Sequence, residues 1–315
     1  MRLDAYVAEY WPEHSRSTWQ KYIKAGYVTV NGETITSTKY ELGEDDEVKV
    51  NPPKQPDFTT ETLPILYEDE NVTVIDKPEG VLTHAKGALL EEFTVADFMH
   101  SRFSADPRGN AERGSPHTGD STNPTEKSTL SDRAQSQIEE TRAAIVHRLD
   151  RDTSGVLICA RNPEAHSFLQ KQFSLKKAKK NYLAILDGEP NQPEALLRLP
   201  IERNPKAPAT FRVGANGKPA ETAYRVLWTN GQHTLVELQP LTGRTHQLRV
   251  HMKYIGTPIM NDRFYNPKKP SGRLALHALK LEITIPGGDR KIFSAAVGDD
   301  FKALLPPEAL SWLPD

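Results

Sequence analysis

His147-Arg148-Leu149-Asp150-Arg151-Asp152-Thr153-Ser154-Gly155 follows the apolar pair Ile145-Val146 and runs straight into Val156-Leu157-Ile158-Cys159-Ala160. An unbroken apolar run of that length, entered through a glycine, reads as a buried strand. The fold must therefore bury a strand whose entrance carries a carboxylate. Asp150 at that entrance is partly withdrawn from water. Such a group is costly unless it is paired, and useful if it is a nucleophile. Polar loop residues held by a rigid scaffold are a common seat of chemistry. From the residues alone, a solvated charged turn that bends at a glycine is an equally good reading.

The 315 residues leave room for about two domains. Residues 1–50 read as a small α/β module. Ser15 or Ser17 caps a helix running to Ala25 with Trp19, Tyr22 and Ile23 on one face. Gly26 stands where a left-handed cap would end it. Tyr27 to Val30 alternates like a strand, Asn31-Gly32 signals a tight hairpin, and Val48 to Val50 reads as a last short strand. Residues 51–62, with Asn51-Pro52-Pro53-Lys54-Gln55-Pro56, form a proline-stiffened linker. A second domain spans 63–315. Within it, residues 101–140 are poor in large apolar side chains and rich in Gly, Pro, Ser, Thr and Asn, so they read as a mobile insertion. Asn162-Pro163 starts a helix through Phe173. Strands are expected over 72–76, 181–187, 222–229, 233–239, 247–251 and 281–285. This uneven order of elements points to an α+β fold rather than a regular parallel sheet.

The nine residues around Asp150 resemble the catalytic motif of the RluA family of pseudouridine synthases. Further blocks agree in order: Asp76-Lys77-Pro78-Glu79-Gly80-Val81-Leu82-Thr83-His84, Lys180-Asn181-Tyr182, Leu241-Thr242-Gly243-Arg244-Thr245-His246-Gln247-Leu248-Arg249-Val250-His251, Gly256-Thr257-Pro258-Ile259 leading to Asp262, and Arg273-Leu274-Ala275-Leu276-His277-Ala278. The first fifty residues, centred on SRSTWQKYIKAGYVTVNG, resemble the RNA-binding module named after a small-subunit ribosomal protein, the S-four type. The resemblance implies a mixed, mainly antiparallel sheet with flanking helices and a central cleft.

It also implies a reaction that needs no metal, cofactor or energy donor. The bond from ribose to a uracil nitrogen breaks, the base turns, and ribose bonds to a ring carbon. Asp150 matches the family's essential aspartate, and either attacks the anomeric carbon or takes the neighbouring sugar proton. Arg249 matches its cationic partner, a role that a planar guanidinium fills better than an ammonium. Tyr182 matches the tyrosine that lies against the uracil and is a candidate for moving the final proton. Arg148 matches the residue that fills the space left by the extruded base. Without the resemblance, Arg249 reads as a strand-face arginine and Tyr182 as a core tyrosine.

The partner expected is RNA, although the formal net charge of -2 provides no global basic field. The contacts must then be local. Arg16, Lys21 and Lys24 lie at the basic positions of the S-four-type helix, in a module that carries six Lys/Arg against nine Asp/Glu. Lys171, Lys176, Lys177, Lys179 and Lys180 form the densest basic run, just ahead of Tyr182. Lys177, Lys179, Lys180 and Arg244 are the expected backbone contacts there. His147, His246, His251 and His277 lack a local ligand motif, so no metal is expected. The single cysteine, Cys159, excludes an internal disulfide and a Cys-based zinc site. The start reads as amphipathic rather than as a signal peptide, so a cytoplasmic monomer is expected. Large-subunit ribosomal RNA is the expected substrate, with transfer RNA as the alternative. A non-catalytic RNA-binding assembly factor and a two-carboxylate glycosidase using Asp152 or Asp262 are the rival classes.

Overall fold

The computed structural model describes residues 1–12, 14–51, 56–85, 92–105, 144–268 and 270–314. Most of the linker's proline segment, and the insertion expected over 101–140 from residue 106 onward, lie outside the described residues. The first part of that span, through Ala105, continues the helix Val95–Ala105. The chain groups into two compact units. One contains Met1–Glu61 and His84–Ala144, the other Thr62–Thr83 and Ile145–Asp315.

In the first unit, helices α1 (Leu3–Tyr10) and α2 (Arg16–Lys24) pack beside a three-stranded antiparallel sheet of β1 (Val28–Val30), β2 (Glu33–Thr34) and β3 (Val48–Val50), in the order β2-β1-β3. The Ser15 side chain caps α2 by accepting the Thr18 N–H. Asn31 and Gly32, at φ of 51° and 84°, make the left-handed hairpin turn that their sequence signals. Leu3, Val7, Trp19, Tyr22, Ile23 and Val28 form the core. The helix Val95–Ala105 (α3) opens on reciprocal hydrogen bonds between Thr94 and Asp97, a capping box.

Asp4 lies fully buried in this unit and accepts hydrogen bonds from Arg2, Arg16 and Gln20. Burial alone would raise its pKa, but the bonds from Arg16, Gln20 and Arg2 win and pull it down to about 2 from 3.8. The folded state therefore holds the proton less tightly than the unfolded chain. That stability is fully present above about pH 4 and is lost as the pH falls toward 2. Acid titration followed by fluorescence of the buried Trp19 should show about 2 kcal/mol of stability lost across that window. Asp4→Asn should remove that part of the transition.

The second unit is built on a nine-stranded sheet. Its strands are β4 (Ile65–Glu68), β5 (Val72–Lys77), β6 (Ser154–Ala160), β7 (Lys179–Asp187), β8 (Glu194–Arg198), β11 (Glu221–Thr229), β12 (His233–Pro240), β13 (Leu276–Thr284) and β14 (Arg290–Ser294). A small separate ribbon pairs β9 (Ile201–Arg203) with β10 (Phe211–Val213). The sheet order is β4-β5-β6-β13-β7-β12-β11-β8, with β14 beside β13. Among the described residues the one parallel pairing is β6 with β13, so the sheet is mixed and mainly antiparallel. Every residue of β6 is buried, as an apolar run through the middle of a sheet requires. Helix α4 (Pro163–Ser174), capped by the Asn162 side chain, packs Ala165 and Leu169 into that core.

The strand expected over 247–251 is instead helix α5 (Gln247–Tyr254). Leu248, Val250 and Met252 alternate with Arg249 and His251, which imitates a strand's period of two. Yet Arg249 and His251 are buried as well. With Gln247 to Met252 all buried and only Lys253 and Tyr254 at its end exposed, the helix has no polar stripe from which its period can be read. His246, in the left-handed region at φ 56°, turns the chain into it.

Gly155 shows why the motif ends as it does. It pairs with Ala278 of β13 and has φ +110°. A Cβ there would collide with the Ala278 backbone oxygen. Gly155→Ala should therefore destabilise the protein by about 2–3 kcal/mol, through the forbidden φ and the clash together. Thermal melts check this; an unchanged melting temperature would show that the strand entrance is plastic.

Candidate active site

The loop 147–153 leaves β6 at its amino end and is held from below by the segment after β5. The Lys77 ammonium is fully buried and donates to the backbone oxygens of Pro78, Val81 and Arg151 at 2.7–3.0 Å. The Thr83 hydroxyl donates to Leu149 O and accepts from Leu149 N. Gly80 and Arg151 exchange two more hydrogen bonds. Asp150 thus sits on a loop with few unsatisfied backbone groups and little freedom to move.

The Asp150 carboxylate reaches Arg249 of α5, with Oδ2 3.0 Å from Nη1. The other two guanidinium nitrogens form a fork on Asp262, at 2.7 and 2.8 Å. Asp262 is fully buried, and its Oδ1 also accepts the backbone N–H groups of Phe264 and Tyr265. Burial would weaken the charge on Arg249, but the Asp262 and Asp150 carboxylates hold its pKa well above the ordinary arginine range. The rings of Tyr265 and Phe264 lie 5.1 and 5.6 Å from the guanidinium. One arginine is thus fixed from behind and presents a single nitrogen to Asp150. With both Asp262 oxygens bound to Arg249, that residue is occupied as an anchor and is a poor second acid for a glycosidase. Asp152 is likewise tied to Arg263, at 2.9 Å.

Asp150, Arg249, Tyr182, Lys180, Arg148 and Arg244 all line one cleft of about 470 Å³. Tyr182 and Lys180, two residues apart on β7, share the face of the strand that borders it. Burial and the neighbouring Asp150 charge push the Tyr182 phenol well above its usual pKa, so it stays protonated and uncharged. Burial pulls the Lys180 ammonium down. Gln247 shapes the opposite wall. Its buried amide accepts from Thr242 and from the Arg244 N–H, and donates to Glu221 O and Thr222.

The structure brings Asp150, Arg249, Tyr182, Arg148, Lys180 and Arg244 to this one place. Lys177 is exposed, and Lys179 faces elsewhere, in an ion pair with Glu282 at 3.3 Å. Lys21 and Lys24 are exposed at the end of α2 in the first unit, whereas Arg16 spends its fork on Asp4. Sequence reasoning passed over Asp262 as an anchor, Lys77 and Thr83 as the loop's supports, and His246. The His246 Nε2 stands 3.9 Å from Asp150, and its Nδ1 shares a hydrogen bond with the Tyr265 hydroxyl. Their place inside the matching blocks was the one signal available. His147, His251 and His277 are each held by other protein groups: His147 accepts the Ile158 N–H, His251 meets Thr222 and Leu199 O, and His277 meets Ser154 and Ala295 O.

A mixed sheet with a basic cleft, a carboxylate compensated by an anchored arginine, and a neutral phenol beside them define an α+β enzyme acting on a polyanion. The comparisons give the class a family. Residues 71–254 match the RNA pseudouridylate synthase model and residues 1–48 match the S4 domain. An uncharacterized RNA pseudouridine synthase of Bacillus subtilis, YlyB, is 33% identical over 96% of this chain and 93% of its own length. The ribosomal large subunit pseudouridine synthases D of Borreliella burgdorferi and Xanthomonas campestris are each 33% identical, over 93% and 96% of this chain and 85% and 88% of theirs. Among solved structures, human RNA pseudouridylate synthase domain containing 1 superposes with a TM-score of 0.56 at 23% identity, covering 81% of this chain and 95% of that one, and so shares the fold. The chain belongs to the RNA pseudouridylate synthase family, in its RluA branch, and carries an S4 domain at its amino end.

Proposed function

We propose that this enzyme isomerises specific uridines of large-subunit ribosomal RNA, with Asp150 opening the link between ribose and uracil. The observation that carries the reading is the Asp150–Arg249–Asp262 chain beside Tyr182 in one basic cleft. Arg249 pairs with Asp150 at 3.0 Å, and that side chain lines the cleft that would take the ribose. Attack on that carbon, or removal of the proton beside it, releases uracil with its electron pair. The Tyr182 ring gives the detached base a flat surface on which to turn, worth about 1–3 kcal/mol of stacking. Bonding of the ring carbon to ribose expels the Asp150 carboxylate, or on the other route returns the abstracted proton to the sugar; the proton on that ring carbon then leaves and the freed ring nitrogen gains one, so the product is an isomer of unchanged mass. Arg148 stands at the mouth to occupy the vacated stack, and Arg244 and Lys180 to meet phosphates.

The amino-terminal module, residues 1–50, supplies additional RNA contacts through Lys21 and Lys24. Residues 51–62 link it to the catalytic domain, 63–315. The relatives named for the large ribosomal subunit favour ribosomal over transfer RNA. A monomer working in the cytoplasm fits this substrate, and among the described residues no helix is long and apolar enough to cross a membrane. Pseudouridine mapping in ribosomal and transfer RNA, with and without the gene, tests the reading. The expected result is the loss of one or a few sites from large-subunit RNA alone. Loss confined to transfer RNA would reassign the substrate, and no loss anywhere would refute the proposal.

A further inference from the structure

A second cleft, of about 360 Å³, opens on the far side of the wall that backs Arg249. Its lining includes Phe211, Arg212, Lys253, Tyr254, Phe264 and Tyr265. The wall is shared with the first cleft. His246, which borders Asp150, meets Phe211 and Tyr265 edge-on at 5.6 and 5.5 Å and stacks on Phe264 at 6.3 Å. Two of the lining aromatics are open to water: Tyr254 is 60% exposed and Phe264 42%. The lining contributes two cations, Arg212 and Lys253, and no carboxylate. Lys253 lies 5.8 Å from the Tyr265 ring, and Arg263 and Arg203 flank the cleft over Phe264 and Phe211 at 5.2 and 5.4 Å. Glu202 neutralises Arg212 and Asp152 neutralises Arg263, both from outside the lining.

Open aromatic faces among cations, with no acid in the lining, suit one chemistry above others: a flat base bearing a phosphate. Stacking is sequence-tolerant because every base has a π-face, and the cations meet the backbone. The neighbouring cleft supplies the continuity, since an RNA threaded past Asp150 must continue on one side or the other. We propose that this second cleft binds an unpaired nucleotide of the same RNA strand, close to the target uridine, with its base on Tyr254 and Phe264 and its phosphate at Lys253. This deepens the synthase reading and rests on it for the identity of the strand. The consequence is a selection rule: a target uridine must have a second unstacked base within a few nucleotides. A uridine alone in a continuous helix is a poor substrate even when its own base can be extruded.

The test uses the full-length protein and a uridine decamer carrying a single 2-aminopurine, moved along the decamer in a set of otherwise identical strands. In wild type, one or two label positions should be quenched on binding. Tyr254→Ala should abolish that quenching and weaken binding about tenfold, the effect of one stacked base. Tyr254→Phe should retain both, because the ring is what stacks. Lys253→Gln should flatten the salt dependence by about 0.7 in log–log slope. The proposal is overturned if Tyr254→Ala quenches and binds like wild type, if Tyr254→Phe fails as Ala does, or if wild type neither binds nor quenches. Failure of the synthase reading is seen separately. It would leave ribosomal pseudouridines unchanged in the gene deletion while the Tyr254-dependent quenching persists.

Discussion

Asp150→Asn should yield a folded protein that forms no detectable pseudouridine. The amide keeps an oxygen for Arg249 Nη1, and the other two guanidinium nitrogens remain on Asp262. The fold therefore loses little. On the proposed mechanism the reaction loses the group that attacks the sugar or takes its proton, and removal of such a group lowers kcat by about 10⁴-fold or more. Activity on ribosomal RNA isolated from the deletion strain, read by chemical mapping, together with a thermal melt within a few degrees of wild type, checks both halves. Activity within tenfold of wild type would eliminate Asp150 as the chemical group.

Asp262→Ala should do the reverse damage, to the fold first and the chemistry as a consequence. Arg249 is almost wholly withdrawn from water, and Asp262 takes two of its three hydrogen-bonding nitrogens. Removing that carboxylate leaves a buried guanidinium under-compensated and two backbone N–H groups, of Phe264 and Tyr265, without their acceptor. Breaking a buried pair from one side costs about 3–5 kcal/mol. For a unit of this size that lowers the melting temperature by roughly 10 °C. Arg249 is also freed to turn toward Asp150 and pair with it more fully, which should cut kcat by about 10²-fold in whatever protein remains folded. A variant that melts with wild type would mean that Asp262 does not anchor the arginine in solution. Asp262→Asn, which keeps an acceptor but not the charge, should fall between the two.

Local signals in the chain were reliable wherever the physics was local. Ser15 and Asn162 were readable as caps, Asn31-Gly32 as a left-handed turn and Val156 to Ala160 as a buried strand, because each depends on residues within a few positions. Helix α5 was misread because its polar residues are satisfied at long range: Arg249 by residues 99 and 13 positions away, His251 by Thr222 and Leu199. The same cause hid Lys77. A lysine in the sequence looks like a surface charge, and only the chain's path shows three carbonyls converging on it. Arg16 was expected to contact RNA, and only the structure shows that its fork also engages Asp4, twelve residues earlier. Lys179 and Lys180 are indistinguishable as letters, and the pleat of β7 sends them to opposite faces.

The sequence by itself determined the reaction class, because an ordered set of motif blocks carries the family resemblance even without coordinates, and that resemblance proposes Asp150 as its central acid. It also determined the α+β character and the presence of an S4-type amino-terminal segment, through patterns that act over single helices and strands. Only the tertiary structure decided which carboxylate faces the cleft and which one anchors Arg249, which lysine of a run enters the cleft, and that a second aromatic cleft lies behind the first. Each of those depends on groups far apart in the chain meeting in a low-dielectric interior. There a charge is tolerable only beside its partner, and no local pattern records where that partner will come from.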